Sequence, residues 1–587
     1  MSRLAPTLIG TIRALTGASV NIELRKDLQS TLTIVHGETH RIGQIGSFVR
    51  IPLGYTNLYA VVTQVGASAA PGNVILGPES SHRWLSAVLF GESVSGVFER
   101  GVSQFPTIGD EAHVLTTTDL ETIYSSSSSS CSILVGTISS SSGIAAHLDL
   151  TRIVSRHTGI VGSTGSGKSN SVAVLLEAIA MQGFPSARVL VLDAHGEYGA
   201  VVAGSGHVYR LHPSAAHERP LYVPFWALPA DEFIAIAMGK LPQAAESAVR
   251  DAIADLKRAA AVHLQTPPPQ EAITADSPIP FSARRLWFEL DDYERVTYKE
   301  RQPWTLADKT VVGSAQALTS NVYPPPGPGT SQPFLGPRRG ISRALELMRS
   351  RLQDARFSFL FSPGPDLSPD LDGRVRKDLD EVVANWIGHD RPITVIDISG
   401  LPSDAMAAIA GTVLRITYDA LYWGRGTPIG GRSQPLLVVL EEAHRVIPSG
   451  IDSPSLRSTT QIAKEGRKHG VGLVVITQRP TELDQSVLSQ CGTMITLRLS
   501  NHADRAVVAS AMPDDLGNLA AMVPALRTGE ALVVGEAVKI PTRIRFRLAG
   551  SRPLGDDPQL STGWKNATRP DSNHYATAIA NWRKQSE

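Results

Sequence analysis

Cysteine is almost missing from this 587-residue chain: only Cys131 and Cys491 occur, far apart and without the paired spacing of a metal site. Neither a disulfide framework nor a zinc centre fits that pattern. No apolar run approaches the roughly 18 residues a membrane span needs. The opening Met1-Ser2-Arg3-Leu4-Ala5-Pro6 has no signal-peptide layout, so a cytoplasmic protein without membrane contact is the default expectation. Nor is there an excess of one charge, since Lys+Arg and Asp+Glu both number 55. That balance counts weakly against a nucleic-acid partner, although a pore or groove can be locally basic inside a neutral protein. What remains is an ordinary globular composition, 42% hydrophobic and 19% charged, in a chain too long for one core. Two or three domains are expected.

Against that plain background one stretch stands out: Gly162-Ser163-Thr164-Gly165-Ser166-Gly167-Lys168-Ser169, which reads G-x-x-x-x-G-K-S. Gly159-Ile160-Val161 before it can end a strand, and Val172, Leu175, Leu176, Ile179 and Ala180 after it recur at helical spacing. Strand, glycine loop and helix start form the context a phosphate-binding loop requires. Backbone N–H groups would turn inward around the phosphates, helped by the positive end of the helix. Lys168 is placed to reach the β- and γ-phosphates and the Ser169 hydroxyl to bind Mg²⁺, with Asn170 counted among the loop's contacts. The alternative, a chance match in a surface loop, lacks this flanking context. The chain is expected to bind a nucleoside triphosphate, ATP, with Mg²⁺.

Residues 1–114 read as a small β-barrel. Leu8–Ile12, Ser19–Leu24, Ser30–Val35, Ser47–Ile51 and Leu58–Val65 are short, Ile/Val/Thr-rich and separated by turn residues. Residues 115–145 are Ser-rich, with Ser125–Ser130 and Ser139–Ser142, and read as a linker holding one strand, Ser132–Ile138. Alternating β and α patterns over 146–202 and 391–550 predict a RecA-like α/β core with the nucleotide at the strand C-termini. Residues 203–390 read as an irregular, largely helical insertion, with helices at Ala244–Leu264, Ile341–Leu352 and Val375–Trp386 and Pro-rich loops such as Tyr323–Pro337. Arg338, Arg339, Arg349 and Arg351 there read first as a solvated face, with phosphate contact as the alternative. Residues 551–587 form a polar tail with a short helix near Tyr575–Arg583.

Three strand ends carry further chemistry. Val189–Leu192 ends in Asp193-Ala194-His195-Gly196-Glu197-Tyr198, where Asp193 and Glu197 either act on the metal–water shell or cap the following turn. Pro435–Leu440 runs into Glu441-Glu442-Ala443-His444, a hydrophobic strand ending in acids, as in a Walker B element. One acid would order Mg²⁺ and the next polarise the attacking water. Val471–Thr477 ends at Gln478, read as a γ-phosphate sensor or, more blandly, as a strand cap. The adjacent acid and the strand-end Gln favour ATPases with a glutamate base over GTPases and simple kinases.

Taken with Arg156 to Gly162, Val223 to Leu228 and Glu465-Gly466-Arg467-Lys468, these motifs resemble the HerA branch of the HerA/FtsK hexameric DNA translocases. The resemblance covers most of the chain. It implies that residues 1–114 form the family's HAS barrel, which helps hold the ring and can dock partners, and that the C-terminal segment braces a neighbour. It implies a homo-hexamer with ATP sites between subunits. In that setting Arg467 serves the neighbour's γ-phosphate in trans and Arg156 is a second basic residue at the same interface. Glu442 is then the general base, Glu441 the Mg²⁺-ordering acid and Gln478 the sensor. The implied activity is an ATP-driven motor threading double-stranded DNA. Its expected partner is an effector docked on the barrel side, a nuclease or a sirtuin-like NADase, in bacterial anti-phage defence. The alternative is a scaffold ATPase that switches an effector without productive translocation. A conjugation or secretion motor is disfavoured by the missing membrane segment. Segments Arg479 to Gln485 and Ala503–Arg505 are candidate DNA contacts, with a structural role as the plainer reading.

Overall fold

A computed structural model describes residues 7–28, 32–35, 38–67, 83–125, 131–139, 141–181, 183–301, 304–328, 331–512, 519–554, 563–565 and 571–584. The serines at 126–130, on which the linker expectation partly rests, lie outside the described residues, as do Ser30 and parts of the tail.

Near the N-terminus six antiparallel strands close on themselves in the order Ser19–Leu24, Leu8–Thr16, Glu111–Val114, Phe48–Leu53, Thr56–Ala67, Arg83–Val94 and back to Ser19–Leu24, with Val97–Arg100 added at the side. Alternation drives this closure. In Ser19–Leu24 every second side chain is buried, and Ile12, Val20, Ile22, Ile51 and Leu58 meet inside with no exposure.

The stretch read as a linker is built into the fold. Thr117–Ser125 is a helix whose Asp119 takes an N–H from Thr116 and an ion pair from Arg50 of the barrel. Ser132–Ile138 pairs with Thr542–Phe546, and Ser141–Asp149 pairs with Ser132–Ile138. Both therefore extend the main sheet. Arg100 of the barrel donates to Gly535 O at 3.1 Å, a direct tie between barrel and sheet.

That main sheet has twelve strands in the order 141–149, 132–138, 542–546, 530–535, 493–497, 158–161, 471–477, 436–440, 188–193, 393–397, 206–210 and 218–220. The eight from 493–497 to 218–220 run parallel, and the four at the other edge are antiparallel. Leu436–Leu440 and Val471–Thr477 are buried at every residue, as expected of strands covered by helices on both faces. All parallel strands present their C-termini to one end, and the phosphate loop opens there.

Residues 203–390 are less irregular than their sequence suggests. Gly206–Arg210 and Glu218–Pro220 join the sheet, and Thr297–Arg301, Trp304–Leu306 and Phe334–Leu335 make a separate small sheet. Helices Gln243–Ala260, Ser342–Gln353 and Leu379–Ile387 fall close to their expected positions. Arg339 stacks on Tyr293 at 4.1 Å, and Arg351 on Phe357 at 5.2 Å, so these two arginines lie over aromatic faces. Lys257 is 1% exposed; its ammonium donates to Ala275 O (2.7 Å) and Ser277 O (2.6 Å), pinning a loop to its helix.

Glu232, on helix Ala230–Met238, is 5% exposed, with Oε2 accepting from the Thr412 hydroxyl and Oε1 left without a partner. Burial pushes its carboxyl up to about 8, only partly offset by Thr412 and Arg415. In the unfolded chain the group ionises near its ordinary pKa of about 4.5. Its contribution to stability is therefore full below that value and is lost as pH rises through about 8. Glu232→Gln should raise the unfolding temperature at pH 8–9 and leave it little changed at pH 4–5. Thermal unfolding across pH reads the result directly, and a mutant destabilised at pH 9 would contradict it.

Candidate active site

The phosphate loop leaves the strand Thr158–Val161 and enters helix Lys168–Met181. Glycine is required at two of its turns. A Cβ at Gly162 would stand 2.6 Å from Ser166 Oγ and 2.8 Å from Leu497 Cβ. Gly167 has φ +103°, and its Cβ would meet the Gly529 backbone at 2.9 Å. Gly165 also takes a positive φ, 71°. The loop is propped from outside: Gly529 N–H donates to Ser166 O (2.9 Å), and the Ser163 hydroxyl donates to Arg498 O (2.9 Å). No motif in the sequence marks Arg498 or Gly529. Each lies at the end of a strand whose neighbours only the topology reveals.

Lys168 is 9% exposed and donates to Ser163 O at 3.3 Å. Burial pulls its ammonium below the usual range, against the opposing pull of Glu442, Glu441 and Glu197. Ser169 stands half-buried in the first helical turn, in hydrogen-bonding contact with the Tyr198 hydroxyl. Thr164 is exposed, and its hydroxyl donates to Gln478 Oε1 at 2.6 Å, so the strand-end Gln does reach the loop.

The Asn170 side chain is engaged by the protein itself. Its amide donates to Arg547 O (2.9 Å) and accepts from Ala549 N (3.0 Å), fastening the chain beyond the last strand to the helix. Asp193 is likewise engaged by its own turn. It is fully buried, and its two oxygens accept the N–H groups of His195, Gly196 and Tyr198, which shapes the turn. Burial, partly countered by those N–H bonds, raises its carboxyl to about 6. Of the two readings open for Asp193, the geometry supports the cap.

Glu441 and Glu442 end the strand Leu436–Leu440 and are 4% and 3% exposed. Glu441 Oε2 accepts from Ala194 N–H at 3.2 Å, and Oε1 lies 3.6 Å from His195 Nδ1. Burial, with Asp193, Glu442 and Glu197 nearby, pushes Glu441 up to about 9. Glu442 faces the same burial, but His444, Lys168 and His195 outweigh it and hold its carboxyl below the ordinary carboxylate range. Ligand atoms of His195, Glu441 and Glu442 lie within 4.8 Å of one another. Three buried oxygens here accept no aligned hydrogen bond from the described residues: Ser166 Oγ, Glu197 Oε2 and Glu442 Oε2, the last lying 3.2 Å from His444 Nδ1. Crowded carboxyls and unpartnered oxygens facing a buried lysine fit a site shaped for a cation and an anionic ligand.

Arg467 and Arg156 are not brought to this pocket. Arg467 lies in the turn Gly466–His469, which precedes the strand Val471–Thr477, whereas Gln478 follows it. Seven strand residues at about 3.3 Å each put roughly 20 Å between them. Arg156 likewise precedes Thr158–Val161 and is ion-paired to Glu536 at 3.3 Å. Both arginines occupy the N-terminal end of the parallel strands and the loop occupies the C-terminal end. Within one chain they cannot share a nucleotide.

A parallel sheet with this loop, a glutamine at the end of the adjoining strand and an acid pair at the end of the strand beyond it defines a P-loop ATPase. Residues 133–417 match the family description "Helicase HerA, central domain", and residues 427–545 match "Helicase HerA-like C-terminal". The chain belongs to the HerA family of helicase ATPases. It is 25% identical to the DNA double-strand break repair helicase HerA of Saccharolobus solfataricus over 70% of this chain and 68% of that protein. The protein of the same description from Pyrococcus furiosus is 26% identical over 70% and 69%. With the Sulfolobus acidocaldarius protein identity is 33%, but the match spans only 32% of this chain and 38% of that protein. Among solved structures, VirB4 of Thermoanaerobacter pseudethanolicus is similar at 15% identity and TM-score 0.44, over 71% of this chain and 96% of that chain. The plasmid coupling protein TrwB in complex with ADP and Mg²⁺ is similar at 13% identity and TM-score 0.40, over 68% and 87%.

Proposed function

We propose that this chain is an ATP-driven motor that assembles as a homo-hexameric ring and moves along double-stranded DNA. The observation that carries the reading is the split of the site, with loop, acid pair and Gln478 at one end of the sheet and Arg467 and Arg156 at the other. A head-to-tail ring joins those two halves at every interface, which a two-fold dimer does not do. Lys168 holds the β- and γ-phosphates, Glu442 orients and deprotonates the attacking water, and Gln478 reads the γ-phosphate through Thr164. Ser169 and Glu441 would hold Mg²⁺, whose charge offsets that of the phosphates.

The curated relatives are named as DNA double-strand break repair helicases, which supports duplex DNA as the track. The two segments marked as DNA contacts are joined here, because Thr481 donates to Asp504 Oδ1 through its hydroxyl at 2.9 Å and its N–H at 3.3 Å. The first of them directly follows Gln478 and is tied to the second through Asp504, so a change at the γ-phosphate has a short route to both. An effector on the barrel side, a nuclease or a sirtuin-like NADase, and a role in anti-phage defence in the cytoplasm rest on the family resemblance alone. No helix among the described residues is long and apolar enough to cross a membrane.

ATP turnover measured with and without duplex DNA, from 50 to 200 mM salt, tests the motor. Stimulation by DNA that falls steeply with salt is expected, as for any grip on several phosphates. Turnover indifferent to DNA at every salt concentration would instead favour the scaffold ATPase, for which the balanced net charge is the one supporting feature.

A further inference from the structure

Glu442 precedes the short helix Ala443–Val446 with its backbone in the left-handed region, φ 45° and ψ 50°. A glutamate holds that conformation only where its surroundings enforce it. The turn carries His444 back across two strand ends. Its side chain is 10% exposed, and Nδ1 stands 3.2 Å from Glu442 Oε2 and 3.1 Å from Thr477 Oγ1. Thr477 is the last residue of its strand, and its hydroxyl also accepts the Arg479 N–H at 3.0 Å. The next residue, Gln478, meets the phosphate loop through Thr164. One ring nitrogen therefore stands between the carboxylate of the proposed base and the strand that carries the proposed sensor. Glu442 Oε2 is close enough to feel that nitrogen, yet it is not in an aligned hydrogen bond and keeps a lone pair free.

We infer that His444, with its proton on Nδ1, is a positioning residue that ties the Glu442 carboxylate to the Thr477–Gln478 strand end. The inference rests on Glu442 being the base. A single N–H cannot fully serve Glu442 and Thr477 at once. When it turns to Glu442 it aims the carboxylate, and when it turns to Thr477 it leaves the carboxylate without that guide. A shift of the Gln478 strand on sensing the γ-phosphate alters the same balance. His444 touches no substrate in this arrangement and acts through Glu442.

Three variants separate this role from packing. Asn places its amide nitrogen where Nδ1 stands, Gln places it one carbon further out, near the Nε2 position, and Ala removes it. His444→Ala should lower kcat by about 10- to 100-fold, the scale found for residues that orient a functional group through a hydrogen bond. The affinity for ATP should change less than twofold. His444→Asn should recover at least half of the lost logarithm of rate and His444→Gln much less, with thermal unfolding temperatures alike. Should Ala not fold, the Asn–Gln contrast still decides. Equal rates for Asn and Gln, or a folded Ala variant within twofold of wild type, overturn the inference. Glu442→Gln keeps the two readings apart. If it turns over normally the base assignment has failed, whereas if it is inactive while His444→Ala is not slowed, only the present inference has failed.

Discussion

Glu442→Gln should lose ATP turnover by about 10²- to 10⁴-fold while still binding nucleotide, the loss expected when a general base is removed. The substitution keeps the shape of the side chain and its place in the left-handed turn, so the loop and Lys168 need not move. What it removes is a carboxylate held ionised by His444, Lys168 and His195 against the cost of burial. It also removes one of the charges that push Glu441 up to about 9. Metal binding at Glu441 should therefore be kept or tightened, and the variant should accumulate with ATP bound. Equilibrium nucleotide titration together with single-turnover hydrolysis separates the two effects. A folded Glu442→Gln protein that hydrolyses ATP within tenfold of wild type would remove Glu442 from the chemistry and leave the acid pair as a structural feature of the strand end.

How much of this could be read from the chain depended on whether a feature is local. The phosphate loop is contiguous, and the strand ends at Asp193, Glu441 and Gln478 announce themselves as apolar runs stopping at a polar residue. Periodicity describes one strand and its faces and is silent about which strand lies beside it. Ser132–Ile138 was thus readable as a strand, while its pairing with Thr542–Phe546, some four hundred residues away, was not. Gly206–Arg210 and Glu218–Pro220 were hidden in the same way inside an apparently irregular stretch. Side-chain partners were hidden for a related reason. Asn170 follows the loop in sequence, but its amide is taken up by Arg547 and Ala549 of the chain beyond the last strand. Asp193 has the right type and place for a metal ligand, yet three backbone N–H groups of its own turn claim it. His444 entered only as part of a motif, because its link to Thr477 joins strands whose adjacency is tertiary.

Arg467→Ala should reduce turnover by about 10³- to 10⁵-fold, the value of a guanidinium on the equatorial oxygens of a transferring phosphoryl group. Nucleotide affinity should be nearly unchanged, because the loop, Lys168 and the acid pair lie at the other end of the sheet. The position of Arg467 turns this into a test of geometry. Its turn precedes the strand Val471–Thr477 and the loop touches the residue that follows it, so the arginine and its own chain's phosphates are separated by the length of the strand. Lys168→Ala and Arg467→Ala should therefore each be inactive alone but complement each other when co-assembled. One supplies intact arginines and the other intact loops. In a ring of head-to-tail interfaces assembled from equal amounts, about a quarter of the interfaces pair an intact loop with an intact arginine. Turnover should reappear in that mixture and peak near equal proportions. If Arg467 acted on its own chain's nucleotide, every subunit in the mixture would lack one essential group, and no ratio of the two variants would restore activity. A co-assembled mixture that stays inactive at all ratios, with ring formation verified by particle imaging, would rule out completion of the pocket by a neighbour's arginine and take the shared-site ring with it.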